Sequence, residues 1–208
     1  MKYIFVAGAP GSKWSSVAKN IYYSPDVDRS DYSDERTYYH DAGGEMQLMH
    51  LGAYFDPGME FELPDNLSSL TKEQAEELFD KPFTGQGVRI VKSHIFSYKE
   101  NLEFLKQHWP DCFIVLVNRS DDSCLGWWVK CGHFNITYPS YSKYYKDLPT
   151  MAKIIQKQND GILYYVVSAD ETQLPLDNLE LCDLLNIAHP PAEYTQTYPL
   201  SDIKVVVI

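Results

Sequence analysis

A glycine-rich turn between an apolar strand and a helix is a place where a chain can hold an anion. Residues 3–7 read as such a strand, and Gly8-Ala-Pro-Gly-Ser-Lys-Trp-Ser-Ser16 leads from it into a helical stretch. In a turn of this kind backbone N–H groups converge, and the start of the following helix adds partial positive charge. Pro10, Gly11, Ser12, Lys13, Trp14, Ser15 and Ser16 are therefore the candidate ligands for a phosphate-bearing nucleotide, with the Lys13 ammonium and the serine hydroxyls as extra donors. The ATP-binding pattern G-x-x-x-x-G-K-[ST] is only partly present: counted from Gly8, the second glycine place holds Lys13, the lysine place holds Trp14, and Ser15 alone fits. The same residues could also form a plain tight turn.

Two further strand ends carry suitable chemistry. The segment 88–92 ends in Lys92-Ser-His94. Histidine titrates nearest neutrality and suits general-base work, and a lysine two residues earlier could neutralise charge on a transferred group. The bland alternative is a capping or surface histidine. The segment 113–117 runs on to Arg119, followed by Ser-Asp-Asp-Ser123. An arginine at the carboxyl end of a parallel strand can hold a phosphate through paired N–H bonds, with Ser123 beside it, or can pair with Asp121 or Asp122.

Positioning these groups takes a sheet. Residues 3–7, 88–92, 113–117, 163–167 and 203–208 are short apolar runs rich in β-branched or aromatic residues and read as strands. Helices are expected at 13–22, 72–79, 98–108, 120–131, 148–159 and 176–185, with capping boxes at Thr71/Gln74 and Ser97/Glu100. The alternation implies one α/β domain over residues 1–208, with a mostly parallel central sheet flanked by helices and ligands at the carboxyl ends of its strands. Residues 24–66 interrupt the pattern with Tyr, Asp, Gly and Pro, as a lid, a substrate loop or a structural excursion would.

In this order the motifs resemble those of the sulfotransferases that use 3′-phosphoadenosine 5′-phosphosulfate. That family has a P-loop-like fold, a P-x-S-x-x-[ST]-like first turn, K-[ST]-H at a later strand end, and then a strand ending in Arg. Pro10–Ser15, Lys92–His94 and Arg119 occupy these places. The stretches 163–167 and 176–185 resemble the family's late strand and closing helix. The resemblance implies that the first turn holds the 5′-phosphosulfate and Arg119 the 3′-phosphate. It also implies that His94 deprotonates an acceptor hydroxyl and that Lys92 and Lys13 stabilise the bridging and sulfuryl oxygens, with no metal. Gly11 stands where the family's loop lysine follows the proline, and Trp127 where it has a second 3′-phosphate serine. Lys13, Ser120 and Ser123 are the nearby substitutes.

The bulk properties narrow the partners. A net charge of −11 with only four arginines leaves no basic face for DNA or RNA, whereas a few local donors suffice for a small anion. No apolar run is long enough to span a membrane and no signal peptide is evident, so a cytoplasmic protein is expected. Cys112, Cys124, Cys131 and Cys182 lack metal-site spacing and read as reduced thiols. A small-molecule, carbohydrate or peptide acceptor is compatible with the 14% aromatic content. Two rival functions remain at this level. One is a small nucleotide or metabolite kinase with an altered loop. The other is a nucleotide-binding protein without catalysis.

Overall fold

Residues 3–8 are apolar without a break, which suits a strand covered on both faces. In the computed structural model they form β1 (Tyr3–Gly8), buried at every position. The structure describes residues 1–31, 39–41, 46–48, 51–56, 61–131, 146–169, 178–194 and 202–208. After β1 come α1 (Trp14–Tyr22), β2 (Tyr39–Asp41), β3 (Met46–Leu48), β4 (Ala53–Tyr54), α2 (Lys72–Asp80) and β5 (Arg89–Lys92). Then follow α3 (Lys99–His108), β6 (Phe113–Arg119), α4 (Asp121–Cys131), α5 (Leu148–Ser168), α6 (Asn178–Leu184) and β7 (Ile203–Val207). Short 3₁₀ turns lie at Leu67–Ser69, His94–Ser97 and Ala192–Tyr194.

The chain is α/β. Its central five-stranded sheet has the order β4-β5-β1-β6-β7, and β2 and β3 pair separately. β4, β5, β1 and β6 run parallel, and β7 runs antiparallel to β6 along Val115–Arg119. Alternate residues of β1 face opposite cores. Tyr3, Phe5 and Ala7 pack with Phe79 of α2, Leu102 and Leu105 of α3, and Ile162 and Val166 of α5. Ile4 and Val6 pack with Trp14, Val17, Ala18 and Ile21 of α1 and with Leu181 and Cys182 of α6. The buried α1 residues are spaced as one helical face.

Helices α1 and α3 thus lie on opposite faces. The connection leaving β1 runs through α1 to the edge strand β4, and that leaving β5 runs through α3 to β6. β1 and β5 are neighbours whose crossovers depart in opposite directions, the topology in which sheets of this class bind ligands outside the carboxyl ends of their strands. Gly8 and Lys92 lie at those ends.

Two expectations need correction. Residues 163–167 are not a strand: they form the last third of α5. Their composition suggested a strand, but Met151, Ile155, Gln158, Asn159, Ile162 and Val166 are buried at helical spacing, while Tyr164 is 74% and Val167 72% exposed. The remaining sheet position is filled by β4, two residues long and set in a Gly- and Asp-bearing stretch that carries little strand signal. The Ser97/Glu100 capping box does not form. The chain from His94 to Ser97 makes a 3₁₀ turn, Tyr98 becomes the N-cap of α3 without a side-chain bond, and Ser97 is buried against the Gly161 backbone. The Thr71/Gln74 capping box is present in full. The expected helix at 176–185 appears as α6, and its first two residues lie outside the described part, as does much of the excursion at 24–66.

Gly161 carries a consequence for stability. A Cβ there would collide with the backbone oxygen of Ser97. Helix propensity alone favours Ala over Gly by about 1 kcal/mol. Overpacking reverses the sign, so Gly161→Ala is expected to destabilise the fold by about 1–3 kcal/mol in urea unfolding. Tyr164→Ala, on the exposed side of the same helix, should stay within about 0.5 kcal/mol. A stabilised Gly161→Ala protein would contradict this packing.

Candidate functional site

The carboxyl ends of β1, β5 and β6 bring together the groups that the sequence scattered over more than a hundred residues. The first turn leaves β1 at Gly8. Ser12 N–H donates to Ala9 O at 3.0 Å, and Gly11 (φ 85°) and Lys13 (φ 67°) both take the left-handed conformation before α1 begins at Trp14. Gly11 lies so close to Cys124 O that no side chain fits. Ala9 packs with Cys124 and Trp128 of α4 and with Met151 and Ile155 of α5. The turn is therefore held rigidly from beneath. The Ser12 hydroxyl is fully buried and has no hydrogen-bond partner among the described residues. At the start of α1, Ser16 N–H and Val17 N–H donate to Lys13 O at 2.9 and 3.3 Å. Ser15 and Ser16 are half-buried.

Trp14 is placed differently from a ligand-facing residue. Its indole points inward, 4.2 Å from the His94 ring and 5.3 Å from the Tyr54 ring between centroids. Lys92 is fully buried, with Nζ 5.6 Å from the centre of the Trp14 ring.

His94 follows β5 directly and is 3% exposed. Nδ1 lies 2.5 Å from Gly8 O. A carbonyl only accepts, so Nδ1 carries the proton and Nε2 presents its lone pair. Nε2 stands 3.9 Å from Asp56 Oδ2, beyond hydrogen-bond reach. Asp56, also buried, accepts from Tyr54 OH at 2.6 Å, Ser93 Oγ at 2.9 Å and His94 N–H at 3.1 Å. Burial pushes the His94 imidazole below its usual range. Asp56 and the Gly8 bond offset part of that, and the Lys92 charge adds to it. Burial likewise pushes the Asp56 carboxyl up, against the pull of His94, Tyr54 and Ser93. Burial thus favours the neutral imidazole, whose Nε2 faces a carboxyl group.

Arg119 ends β6. Its Nη1 donates to Gly11 O at 3.0 Å and its Nε to Asp202 Oδ2 at 2.7 Å, and Nη2 also pairs with Asp202. Neither Asp121 nor Asp122 is its ionic partner: Asp121 instead accepts from Asn159 Nδ2 at 2.5 Å. Asn159 also donates to Arg119 O at 2.9 Å, so α5 fixes the end of β6. Lys13 Nζ reaches the other oxygen of the same carboxylate, Asp202 Oδ1, at 2.6 Å. Burial would raise the Asp202 carboxyl, but the bonds from Lys13 and Arg119 outweigh it and hold it below the usual range. Ser123 is half-buried near the start of α4, and its N–H donates to Ser120 Oγ at 3.2 Å, which makes Ser120 the helix cap.

The structure thus brings the first turn, Lys92, His94 and Arg119 to one edge. Sequence reasoning missed Asp56, Tyr54, Asn159 and Asp202. Asp56 lies in the irregular excursion, and Asp202 precedes the last strand; neither belongs to a motif. Cys112, Cys124 and Cys182 form no disulfide, and burial pushes Cys124 up to about 12; the Cys131 side chain lies outside the description. Among the described residues no group of His, Cys, Asp or Glu is arranged to hold a metal ion, and no helix is long and apolar enough to cross a membrane. No family model, curated protein or solved structure matches the chain.

The buried neutral imidazole makes stability depend on pH. Above the ordinary imidazole value of 6.5 neither the folded nor the unfolded chain is protonated at this position. Below it the unfolded chain takes a proton that folded His94 refuses, so this contribution is lost as pH falls. Asp56 acts in the opposite sense, because its raised carboxyl loses its contribution as pH rises above 3.8. Comparison with His94→Gln isolates the imidazole. The stability gap between the wild type and this variant should narrow between about pH 7 and pH 5. A gap that stays constant would show that His94 titrates as it does in the unfolded chain.

Proposed function

We propose that this protein is a sulfotransferase-like enzyme of P-loop type. It would move a sulfuryl group from 3′-phosphoadenosine 5′-phosphosulfate to an acceptor hydroxyl on a small molecule, carbohydrate or peptide. The observation that carries this reading is the bond from His94 Nδ1–H to Gly8 O. It ties the base to the strand end from which the nucleotide-binding turn departs, and it fixes the tautomer that leaves Nε2 able to accept a proton.

In this reading the acceptor oxygen attacks sulfur in line. The bond from sulfur to the bridging oxygen of the 5′-phosphate breaks, adenosine 3′,5′-bisphosphate leaves, and the acceptor proton passes to His94 Nε2. The imidazolium so formed faces Asp56 at 3.9 Å. Lys13 and Lys92 supply positive charge near the transferred group. Such transfers depend on positioning and charge stabilisation. The kinase reading loses support, because the loop-lysine place holds Trp14, whose ring is buried against Tyr54 and His94.

One observation favours a nucleotide-binding protein without chemistry: His94 and Lys92 are both closed off from solvent. The Trp14 and Tyr54 rings stand beside the buried imidazole, so an acceptor reaches Nε2 only if neighbouring groups move. Turnover separates the two readings. Adenosine 3′,5′-bisphosphate should raise the melting temperature without added magnesium, and more than magnesium-ATP does. With an acceptor found from a panel of phenols, sugars and tyrosyl peptides, His94→Ala should lower kcat about a hundredfold or more and leave bisphosphate affinity nearly unchanged. Stabilisation by the bisphosphate with no turnover on any acceptor would select the binding protein. A larger shift with magnesium-ATP would select the kinase.

A further inference from the structure

Lys13 and Arg119 come from different elements, the first turn and the end of β6, yet they meet on one carboxylate. Lys13 takes Asp202 Oδ1 at 2.6 Å, and Arg119 takes Oδ2 through Nε at 2.7 Å and through Nη2. Each oxygen of a planar anion is thus met by a separate cation, the way these side chains meet a phosphate or sulfate. The Arg119 fork is fixed by Nη1 on Gly11 O and by the hold of Asn159 on Arg119 O. The pair is therefore built before any ligand arrives. The Asp202 side chain is 36% exposed, so its carboxylate can leave toward water without unpacking a core. The fully buried Ser12 hydroxyl, without a partner among the described residues, lies in the same turn.

The geometry points to one anion subsite made by Lys13 and Arg119, sized for a single phosphate or sulfate group, in which Asp202 is the resident counter-ion of the free chain. A ligand enters by exchange: its anionic group takes the two cations, and the Asp202 carboxylate is released to solvent. This assigns Lys13 and Arg119 to the same group of a ligand, where the resemblance placed them at opposite ends of a nucleotide. The inference rests on the phosphate-binding half of the proposed function and is independent of sulfuryl transfer.

Two consequences follow from replacing Asp202 with a neutral side chain. Removing the internal competitor should tighten anion binding. Leaving two neighbouring cations without their anion should lower stability until an external anion restores it. The test is calorimetric titration of the wild type and Asp202→Asn with inorganic phosphate and, separately, with adenosine 3′,5′-bisphosphate, at constant ionic strength. Asp202→Asn should bind inorganic phosphate about ten- to a hundredfold more tightly than the wild type, the scale of a charge-assisted bond, and Arg119→Gln in the same background should abolish the gain. Unchanged or weaker phosphate binding in Asp202→Asn overturns the subsite, even if the wild type binds the bisphosphate, in which case the proposed function stands alone. A phosphate gain with no bisphosphate binding in either protein keeps the subsite and removes the nucleotide. If Asp202→Asn does not fold, the Arg119 Nε–H resonance of the wild type answers the same question. Phosphate should shift it in a saturable way, and no shift would overturn the exchange.

Discussion

Strand β1 is flanked on both sides by parallel partners, β5 and β6. Parallel pairing aligns the direction of all three strands, so their carboxyl ends share one edge of the sheet. Everything chemical in this molecule depends on that constraint. The register sets Val6 opposite Lys92 and Gly8 opposite Val117, which brings the first turn level with the 3₁₀ turn at His94 and close to the Arg119 side chain. The crossovers after β1 and β5 leave on opposite faces, the arrangement in which sheets of this class bind ligands at the carboxyl ends of their strands. The hydrogen bond from His94 to Gly8 is a consequence of the same register, as is the reach of Arg119 to Gly11.

The electrostatics of this edge oppose those of the whole chain. A net charge of −11 repels anions at long range, yet three cations stand within the edge, two of them bound to the same carboxylate. Salt screens the long-range term over about 8–10 Å, while short partly buried pairs are screened less. A small anion near the edge is governed by Lys13, Lys92 and Arg119 more than by the distant acidic surface. The buried pair works differently. His94 and Asp56 sit in a low-dielectric place where both groups favour their neutral forms, and the Tyr54 and Ser93 hydroxyls satisfy the carboxyl without adding charge.

The parts of the fold that a sequence can carry are those written in local patterns. The apolar runs of β1, β5, β6 and β7 and the Thr71/Gln74 cap of α2 are of this kind, because each depends on a few neighbouring residues. The positions of Lys92–His94 and Arg119 at strand ends were legible for the same reason; their role in a site is part of the proposal. Residues 163–167 misled, because β-branched and aromatic composition is shared by strands and by the buried stripe of a helix; the exposure of Tyr164 and Val167 decides between them. Asp56, Asn159 and Asp202 could not be read. Asp56 meets His94 across 38 positions and Asp202 meets Lys13 across 189. Only the topology brings such pairs together, and nothing local in the sequence distinguishes these residues from other polar ones. The inward turn of Trp14 was hidden likewise, since a tryptophan beside serines in a glycine-rich turn reads equally as a ligand platform and as a core residue.

We propose the ends of β1, β5 and β6 as the ligand-binding edge. Amide chemical-shift mapping with adenosine 3′,5′-bisphosphate tests it most directly, because it needs neither turnover nor a known acceptor. The largest perturbations should fall on residues 8–16, on Ser93 and His94, and around Arg119 and Asp202. A cavity lies at the opposite, amino-terminal ends of the strands, lined by Met1, Asp26, Val88, Phe113 and Asn186. Perturbations centred there, with the first turn and Arg119 unmoved, would contradict the account.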